Sequence, residues 1–363
     1  MDGSMAETST AIDKQLTLTS PPQPILPLDL IIEILCRLPV KLLLQLRCVS
    51  KLWNSFITDR KFANKHLRMS TTHRIQGVTY SLFSYNSMLT SYQLNCLFTR
   101  RVTTNVTKLK YRFNNCNKPN IVGSCNGFLC VAFSNYSIVL WNPSINKFKE
   151  LPLIQKSQGI TNLTFSFGYD SLTDNYKVIV VLQYTDVKVH TLGTHFWKTI
   201  QEFPFGVMPV EKSGKFVSGR INWLASTDLR LQSPRFIVSF DLRKESYEKV
   251  LPPDGVDVCN LSLSVLRDCL SIFAGHHDIW VMKEYGIQES WTKLFTISNM
   301  PSPNSSVSFT KAAYIFEDDQ VLLESEGNLN FVIYDSKNGT FRFPSFQIIA
   351  PDVCVESLIS PCF

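Results

Sequence analysis

The stretch IVGSCNGFLCVAFSNYSIVLWNPSINKFKELP, residues 121–152, decides the fold because short apolar runs alternate in it with turn signals. Asn126-Gly127 separates two apolar runs, and Asn-Gly in that setting is the strongest short-range sign of a β-hairpin. Ser134-Asn135 and Asn142-Pro143 interrupt the rest of the stretch in the same way. The sequence therefore predicts four consecutive antiparallel strands.

Similar units follow towards the C-terminus, each with paired strands and an aromatic residue before a turn. They are FSFGYDSLTDNYKVIVV with VKVHTLGTHFWKTIQEFP, GKFVSGRINWLAS with RFIVSFDLRKESYEKVLPP, LSLSVLRDCLSIFAG with DIWVMKEYGIQESWTKLFTI, and KAAYIFEDDQVLLES with LNFVIYDSKNGTFRFPSF. A period of about forty residues suits the four-stranded blade of a β-propeller. Weaker strands at 74–110 raise the predicted number of blades to six. The final DVCVESLIS is placed to pair with the first blade and remove a free edge; a two-sheet sandwich is the alternative architecture.

A different, leucine-rich texture precedes the β region in LPLDLIIEILCRLPVKLLLQLRCVSKLWNSF, residues 26–56. Pro27 suits the first turn of a helix, Pro39 ends that helix, and Ser50 is a candidate N-cap for a third helix. The first helix is apolar nearly all round. A module of about forty residues cannot bury two apolar faces, so we expect a partner protein to cover one of them. The alternative is that the whole module packs only against the rest of this chain.

This stretch resembles the F-box in its leading Leu-Pro, its central RLPVK, its RCVSK and its Trp. The resemblance implies a three-helix unit that docks onto the Skp-type adaptor of SCF ubiquitin ligases and, through that adaptor, onto the cullin and RING subunits. The adaptor contacts that it implies are Leu26, Pro27, Leu30, Ile31, Ile34, Leu35, Leu38, Pro39, Val40, Leu43, Leu44, Val49 and Trp53.

The F-box resemblance has three departures, at Leu42, Gln45 and Leu52, and all three are compatible with docking. Charge also favours it: residues 25–70 hold eight basic residues (Arg37, Lys41, Arg47, Lys51, Arg60, Lys61, Lys65, Arg68) against three acidic ones (Asp29, Glu33, Asp59). Adaptors of this family are acidic, so the imbalance should speed encounter more than it deepens affinity.

The β region resembles the plant F-box-associated domain, a kelch-like module. The resemblance is carried by FGYDSLTDNYKV, FVSGRINWLA, FDLRKESYEKVLP, DIWVMKEYGIQESWTKLF and the terminal ESL. The expected architecture is therefore mainly β with a small α module. It comprises a disordered tail at 1–24, an F-box at 25–68 and a kelch-like β-propeller at 69–363.

Composition excludes several classes of function. The net charge of +6 comes from 36 basic and 30 acidic residues without a basic cluster, which argues against nucleic-acid binding. No secretory h-region or bilayer-spanning apolar run is visible. The ten cysteines form no CxxC pair, and no His lies at zinc-site spacing from them. We therefore expect a cytoplasmic or nuclear protein with reduced thiols and no membrane association.

Catalytic and metal-binding patterns are weak. His276 and His277 are predicted to lie on a strand, where neighbouring side chains point to opposite faces and cannot share a metal. Glu317–Asp319 is predicted to be a solvated turn. The recurring tryptophans are predicted to form core between blades: Trp141, Trp197, Trp223, Trp280 and Trp291. The sequence thus predicts no enzyme, no metal and no cofactor.

Taken together, these patterns predict the substrate-recognition subunit of an SCF-type ubiquitin ligase, which holds an unknown target protein through propeller loops. Candidate loops are 182–188, 226–235 and 299–308. One alternative is a binding or assembly protein that holds the adaptor without causing degradation. A second is an enzyme in the propeller channel, for which the sequence offers no convergent polar cluster.

Overall fold

The computed structural model describes residues 26–69, 75–81, 88–93, 107–108, 119–133, 136–154, 162–228, 230, 233–297, 309–325, 331–343 and 352–362. The predicted tail at 1–24 lies outside these residues, and so does the loop at 299–308. None of the helices in the described parts of the chain combines the length and the apolar character needed to cross a bilayer.

The N-terminal module contains four α-helices, not the three expected: α1 (Leu28–Cys36), α2 (Val40–Leu46), α3 (Lys51–Thr58) and α4 (Arg60–Met69). The additional helix begins directly after α3 because Asp59 caps it. The Asp59 carboxylate accepts the backbone N–H groups of Lys61 and Phe62 at 2.7 and 3.1 Å, which satisfies two of the unpaired donors at a helix start.

The β region begins with β1 (Ile75–Ser81), β2 (Met88–Gln93) and β3 (Thr107–Lys108), which pair side by side. Blade I follows with β4 (Pro119–Cys125), β5 (Phe128–Phe133), β6 (Ile138–Asn142) and β7 (Lys147–Glu150). Asn126 and Gly127 both have positive φ, 51° and 82°, between β4 and β5. This is the geometry of the hairpin turn that Asn-Gly predicts.

Four further blades follow in the order of the predicted units. Blade II contains β8 (Leu163–Asp170), β9 (Asn175–Leu182), β10 (Asp186–Thr191) and β11 (Lys198–Thr199). Blade III contains β12 (Met208–Pro209), β13 (Lys215–Val217), β14 (Arg220–Ser226), β15 (Arg235–Asp241) and β16 (Ser246–Val250). Blade IV contains β17 (Leu261–Leu266), β18 (Cys269–Ala274), β19 (Asp278–Met282), a 3₁₀ turn at Gln288–Ser290 and β20 (Trp291–Thr296). Blade V contains β21 (Phe309–Ile315), β22 (Gln320–Ser325), β23 (Phe331–Asp335) and β24 (Thr340–Arg342).

The last strand, β25 (Asp352–Val355), returns to the start of the β region. It pairs antiparallel with β1, so that Val355 lies opposite Ile75 and Cys354 opposite Gln76. The predicted pairing of DVCVESLIS with the first strands is thereby confirmed. The resulting closing sheet has the order β25-β1-β2-β3.

The β-propeller is confirmed, but the predicted count of six blades is not. Within the described residues, blades I–V are each built from strands that follow one another along the chain, which gives five blades of the predicted kind. The closing sheet differs because it joins strands from the two ends of the β region. The repeated pattern in the sequence predicts hairpins within one blade. It does not predict how many strands a sheet contains when one of them comes from the other end of the chain.

Three blades repeat one outer hairpin. An Asx side chain ends the third strand and accepts backbone N–H groups of the turn, while aromatic residues pair across the hairpin. The Asx residues are Asn142, Asp241 and Asp335, and the aromatic pairs are Trp141–Phe148, Phe240–Tyr247 and Tyr334–Phe341. This shared chemistry is what makes the units look alike in the sequence.

The tryptophans lie in the core, as predicted. Trp141 and Trp223 are fully buried, Trp291 is buried and Trp197 and Trp280 are partly buried. Two of them connect neighbouring blades by hydrogen bonds. The Trp197 indole N–H donates to the Pro152 carbonyl at 2.8 Å, and that of Trp291 donates to the Leu251 carbonyl at 2.9 Å. The Leu-Pro at the end of one blade is thus the acceptor for the indole of the next.

Strand direction defines two ends of the propeller. Because neighbouring strands are antiparallel, turns that join first to second and third to fourth strands lie at one end, which we call the near end. Turns between second and third strands, and the connections between blades, lie at the other, the far end.

Candidate adaptor-binding site

Helix α1 begins where the sequence predicts. Pro27 is its N-cap residue, and the Pro27 carbonyl accepts the N–H groups of Leu30 and Ile31 at 3.0 and 3.2 Å. Asp29 lies in the first turn, where its negative charge suits the helix dipole. Glu33 and Arg37 form an ion pair of 2.7 Å along the solvent side.

Helix α3 is also capped as predicted. The Ser50 hydroxyl accepts the Trp53 N–H at 3.1 Å. Trp53 itself is half-buried and packs against the core of the module. That core consists of Leu35, Cys36, Leu43, Ile57 and Phe62. His66 joins α4 to the segment between α1 and α2, since its Nε2 lies 2.9 Å from the Leu38 carbonyl.

The predicted adaptor contacts fall into three groups by exposure. Leu26, Pro27, Leu30, Ile34, Pro39 and Val49 are exposed, whereas Ile31, Leu38, Leu44 and Trp53 are half-buried. Leu35, Val40 and Leu43 are buried, with 2%, 1% and 0% of their surface exposed. These three side chains are enclosed within the chain and present no surface to a partner in this structure. The sequence did not separate them because helix spacing alone does not say which apolar face meets the chain's own core.

Three further leucines join the exposed surface without having been predicted as contacts. Leu28, Leu42 and Leu52 are 45%, 39% and 52% exposed. The sequence feature that could have identified them is the excess of apolar residues on all sides of the helices, which is more than the core of the module can bury. We call the exposed and half-buried apolar side chains of this side the outer surface: Leu26, Pro27, Leu28, Leu30, Ile31, Ile34, Leu38, Pro39, Leu42, Leu44, Val49, Leu52 and Trp53.

The opposite side of the module is packed on the near end of the propeller. Ala63 and Leu67 of α4 belong to the same hydrophobic cluster as blades I and II. Leu358 contacts both this cluster and the core of the helical module. At the margin, Arg60 forms an exposed ion pair of 2.7 Å with Asp174, in the turn between β8 and β9.

The residues after β25 fasten the module to the propeller. The Glu356 carboxylate, 5% exposed, accepts the Val40 N–H at the start of α2 at 3.1 Å. The Asn142 amide donates to the carbonyls of Ser357 and Ile359 at 2.9 and 2.8 Å. We call residues 356–359 the C-terminal staple. The terminal ESL motif is therefore a structural connection between the two parts of the chain.

Gly127 allows the staple to approach blade I. A Cβ on Gly127 would lie 2.2 Å from the Ser357 Cβ, well inside van der Waals contact. Together with its φ of 82°, this explains why glycine occupies the turn between β4 and β5.

Two of the three candidate target loops connect strands at the far end. Residues 182–188 form the turn between β9 and β10, in which Gln183 and Tyr184 have positive φ. Residues 226–235 connect β14 to β15, and among the described residues of this loop the Asp228 carboxylate accepts the Arg230 N–H at 2.7 Å. Both turns join second to third strands, which places them opposite the helical module.

The remaining candidates for chemistry lie in turns. His276 and His277 lie in the turn between β18 and β19 rather than on a strand, so the predicted placement was wrong; Gly275 provides a φ of 57° that starts the turn. Glu317–Asp319 is a turn, as predicted. Within the described residues, no group of three or more His, Cys, Asp or Glu side chains is arranged to hold a metal ion.

Comparison with known proteins agrees with this architecture. A family model described as the F-box domain matches residues 24–65, and one described as the F-box associated beta propeller domain matches residues 68–360. An F-box/kelch-repeat protein of Arabidopsis thaliana is 30% identical, covering 93% of this chain and 96% of the relative. The F-box protein CPR1 of the same plant is 26% identical, covering 93% of this chain and 89% of the relative.

Solved structures resemble the chain only distantly. The Cps50 (Swd1) beta-propeller domain of Myceliophteria thermophila is 10% identical, with a TM-score of 0.42, and covers 74% of this chain and 82% of that one. The two family matches together span nearly all of the sequence, and the boundary between them lies within α4. The chain therefore belongs to the F-box proteins that carry an F-box associated beta propeller domain.

Proposed function

We propose that this protein is the substrate-recognition subunit of an SCF-type ubiquitin ligase. The observation that carries the proposal is the outer surface, where large apolar side chains remain exposed on a module whose other side is already packed. Monomeric proteins rarely expose contiguous apolar surface of this kind without a partner. In an F-box, the partner that fits is the Skp-type adaptor, which in turn binds the cullin and RING subunits.

In this proposal the chain is a receptor and performs no acyl transfer itself. The adaptor occupies the outer surface, and the far end of the propeller holds a target protein. The target's lysines are then kept at a high effective concentration near the ubiquitin-charged enzyme. The cytoplasm or nucleus is the proposed compartment, and the free thiols of all eight cysteines in the described residues suit a reducing environment.

We further propose that the closing sheet links blade V to blade I, which makes the receptor a closed ring of five blades and this sheet. Cys354 of β25 packs with Val131 and Trp141 of blade I. Val353 packs on the other side with Leu322 and Ile333 of blade V. Contacts to both neighbours are what closure of the ring requires, because closure removes the free edges of a sheet.

The decisive experiment reconstitutes the complex from the purified full chain, a Skp-type adaptor, cullin and RING subunit. The test variant is Leu30→Asp with Ile34→Asp, which charges the outer surface at two exposed positions. The matched control is Leu153→Asp, an exposed leucine of the β region with 66% of its surface accessible. We expect the wild type and the control to retain the adaptor and the double variant to lose it.

Ubiquitin chains formed on the receptor itself, after addition of activating and conjugating enzymes, provide the second readout. Chains on the wild type but not on the double variant would support ligase output. Adaptor binding without ubiquitin chains would favour the alternative of an assembly protein. Failure of the wild type to bind the adaptor would overturn the proposal.

A further inference from the structure

An exposed apolar group with a cation at its centre lies at the far end of the propeller, between blades II and III. It consists of Phe205, Phe236, Lys249 and Leu251, which we call the Phe205 patch. Phe205 lies in the connection before β12, Phe236 near the start of β15, and Lys249 and Leu251 at the end of β16. All four positions are on the end of the propeller opposite the F-box.

The patch lies next to the core between blades II and III, but its side chains remain accessible to solvent. Phe203, two residues before Phe205, is 5% exposed and packs with Trp223 in that core. Phe205, Phe236 and Leu251 are instead 49%, 36% and 56% exposed. A substantial share of their apolar surface therefore remains accessible outside that core.

Phe205 also has an unfavourable backbone conformation. Its φ is 63°, in the left-handed region that bulky side chains seldom adopt. Strain of this kind usually persists where the surrounding fold imposes it, and it is enriched at functional sites. Burial of the ring does not compensate for the strain here, since about half of the side chain is accessible.

Lys249 supplies the charge of the patch. Its Nζ lies 5.0 Å from the centroid of the Phe205 ring and 5.5 Å from that of Phe236, within cation–π range of both. Other cations of blades II and III have carboxylate partners: Lys198 pairs with Glu245 at 2.7 Å and Arg220 with Asp241 at 3.2 Å, both towards the near end. Among the residues that the structure describes, no carboxylate forms an ion pair with Lys249.

We propose that the Phe205 patch is a target-docking site for a short peptide segment in which an aromatic or branched apolar side chain lies next to Asp or Glu. The apolar side chain packs on Phe205, Phe236 and Leu251, and the carboxylate pairs with Lys249. This site deepens the proposed receptor function and depends on it, because its place at the far end suits a target rather than the adaptor. The occupant is a segment of the target protein.

The test is selection from a phage-displayed library of random peptides on the immobilised full chain. Wild type is compared with Phe205→Asn, Lys249→Glu and the control Leu153→Ser, an exposed leucine outside the patch. Asn tolerates positive φ, so Phe205→Asn removes the ring without adding strain. We expect the wild type and the control to enrich peptides that combine an apolar residue with an adjacent acidic one.

The variants should change the selected peptides in specific ways. Phe205→Asn should weaken binding of the wild-type peptides by about tenfold or more, as for an aromatic anchor at an interface. Lys249→Glu should replace the acidic preference by a basic one, a change of specificity that misfolding cannot produce. Thermal unfolding of each variant should remain close to that of the wild type.

Several outcomes would overturn the docking site. These are enrichment of no peptide, enrichment that the two patch variants leave unchanged, and a concentration-dependent dimer of the chain that Lys249→Glu dissociates, since the patch would then bind a second copy. Adaptor binding is measured on the same samples. If the adaptor binds normally and the peptides fail, the docking site is wrong while the receptor function remains; if the adaptor also fails, the receptor function is wrong as well.

Discussion

Leucine and isoleucine side chains are buried on one side of the F-box and exposed on the other. We call the side that contains the module's core and faces the propeller the inner side, and the side that carries the outer surface the outer side. Leu35 and Leu43 on the inner side are almost completely buried, whereas Leu30 and Ile34 on the outer side are about half exposed. The inner side also has directional polar contacts, such as the one from Val40 to Glu356. Apolar content therefore does not distinguish a core from an interface. What distinguishes them here is whether the chain itself supplies the complementary surface.

Truncation of one leucine from each side is expected to give the largest difference. Leu43→Ala should lower the free energy of unfolding by about 2–5 kcal/mol, since it removes buried atoms and leaves a cavity. Leu30→Ala should change it by no more than about 0.5 kcal/mol, while weakening adaptor binding. Urea unfolding together with adaptor titration measures both effects. Equal losses of stability would show that the outer surface is part of the fold.

Asn142→Asp should break the contact between blade I and the C-terminal staple. The carboxylate can still accept the Ser144 N–H, but it cannot donate to the Ser357 and Ile359 carbonyls that now receive the amide. We expect a loss of about 2–4 kcal/mol, because the carbonyls lose their donor and face a buried negative charge. Chemical unfolding measures the loss, and an unchanged variant would contradict this role of Asn142.

Asp241→Asn is the matched control, in the equivalent turn of blade III. Burial by itself raises the pKa of Asp241, but N–H groups of Lys244 and Arg243 and the charge of Arg220 outweigh it, so the pKa lies below its ordinary value. A lowered folded-state pKa stabilises the protein at pH values above the unfolded pKa of about 4, and this stabilisation is lost as the pH falls through the folded-state pKa. The control should therefore flatten the acid dependence of stability while the turn is kept.

Glu356→Ala tests how firmly the inner side is held. It removes the acceptor of the Val40 N–H, for an expected cost of about 1–3 kcal/mol. Glu356→Gln keeps an acceptor oxygen and should cost less. Amide hydrogen exchange at the start of α2 reports the change directly. Exchange unchanged from the wild type in both variants would show that the Glu356 carboxylate does not hold the start of α2.

Arg60→Ala should have the smallest effect. The Arg60–Asp174 pair joins the F-box to blade II, but both side chains are about half exposed. Exposed ion pairs contribute about 0–1 kcal/mol and less at high salt. Thermal unfolding at low and high salt checks this. A larger, salt-dependent loss would show that the Arg60–Asp174 pair, in addition to the C-terminal staple, holds the F-box on the propeller.

Local patterns predicted the helices and hairpins well, whereas the pairing of the C-terminal strand with the first strands was a long-range relation that the sequence also predicted. Pro27, Ser50 and Asn126-Gly127 act through atoms only a few residues away, so their roles were visible in the sequence. Asp59 was also a local signal, and it was missed because α4 follows α3 without a loop. The different roles of Leu35 and Ile34 were not visible, since both lie on an apolar helix and only packing separates them.

The sequence by itself determined that this chain combines a leucine-rich helical module with repeated β-hairpins, because caps, turns and apolar periodicity act over a few residues. Only the tertiary structure decided which leucines are exposed, that ESL fastens the F-box to the propeller, and that Phe205 and Lys249 meet at the far end. These relations join residues that are distant along the chain. They depend on how surfaces pack in space, which no local pattern records.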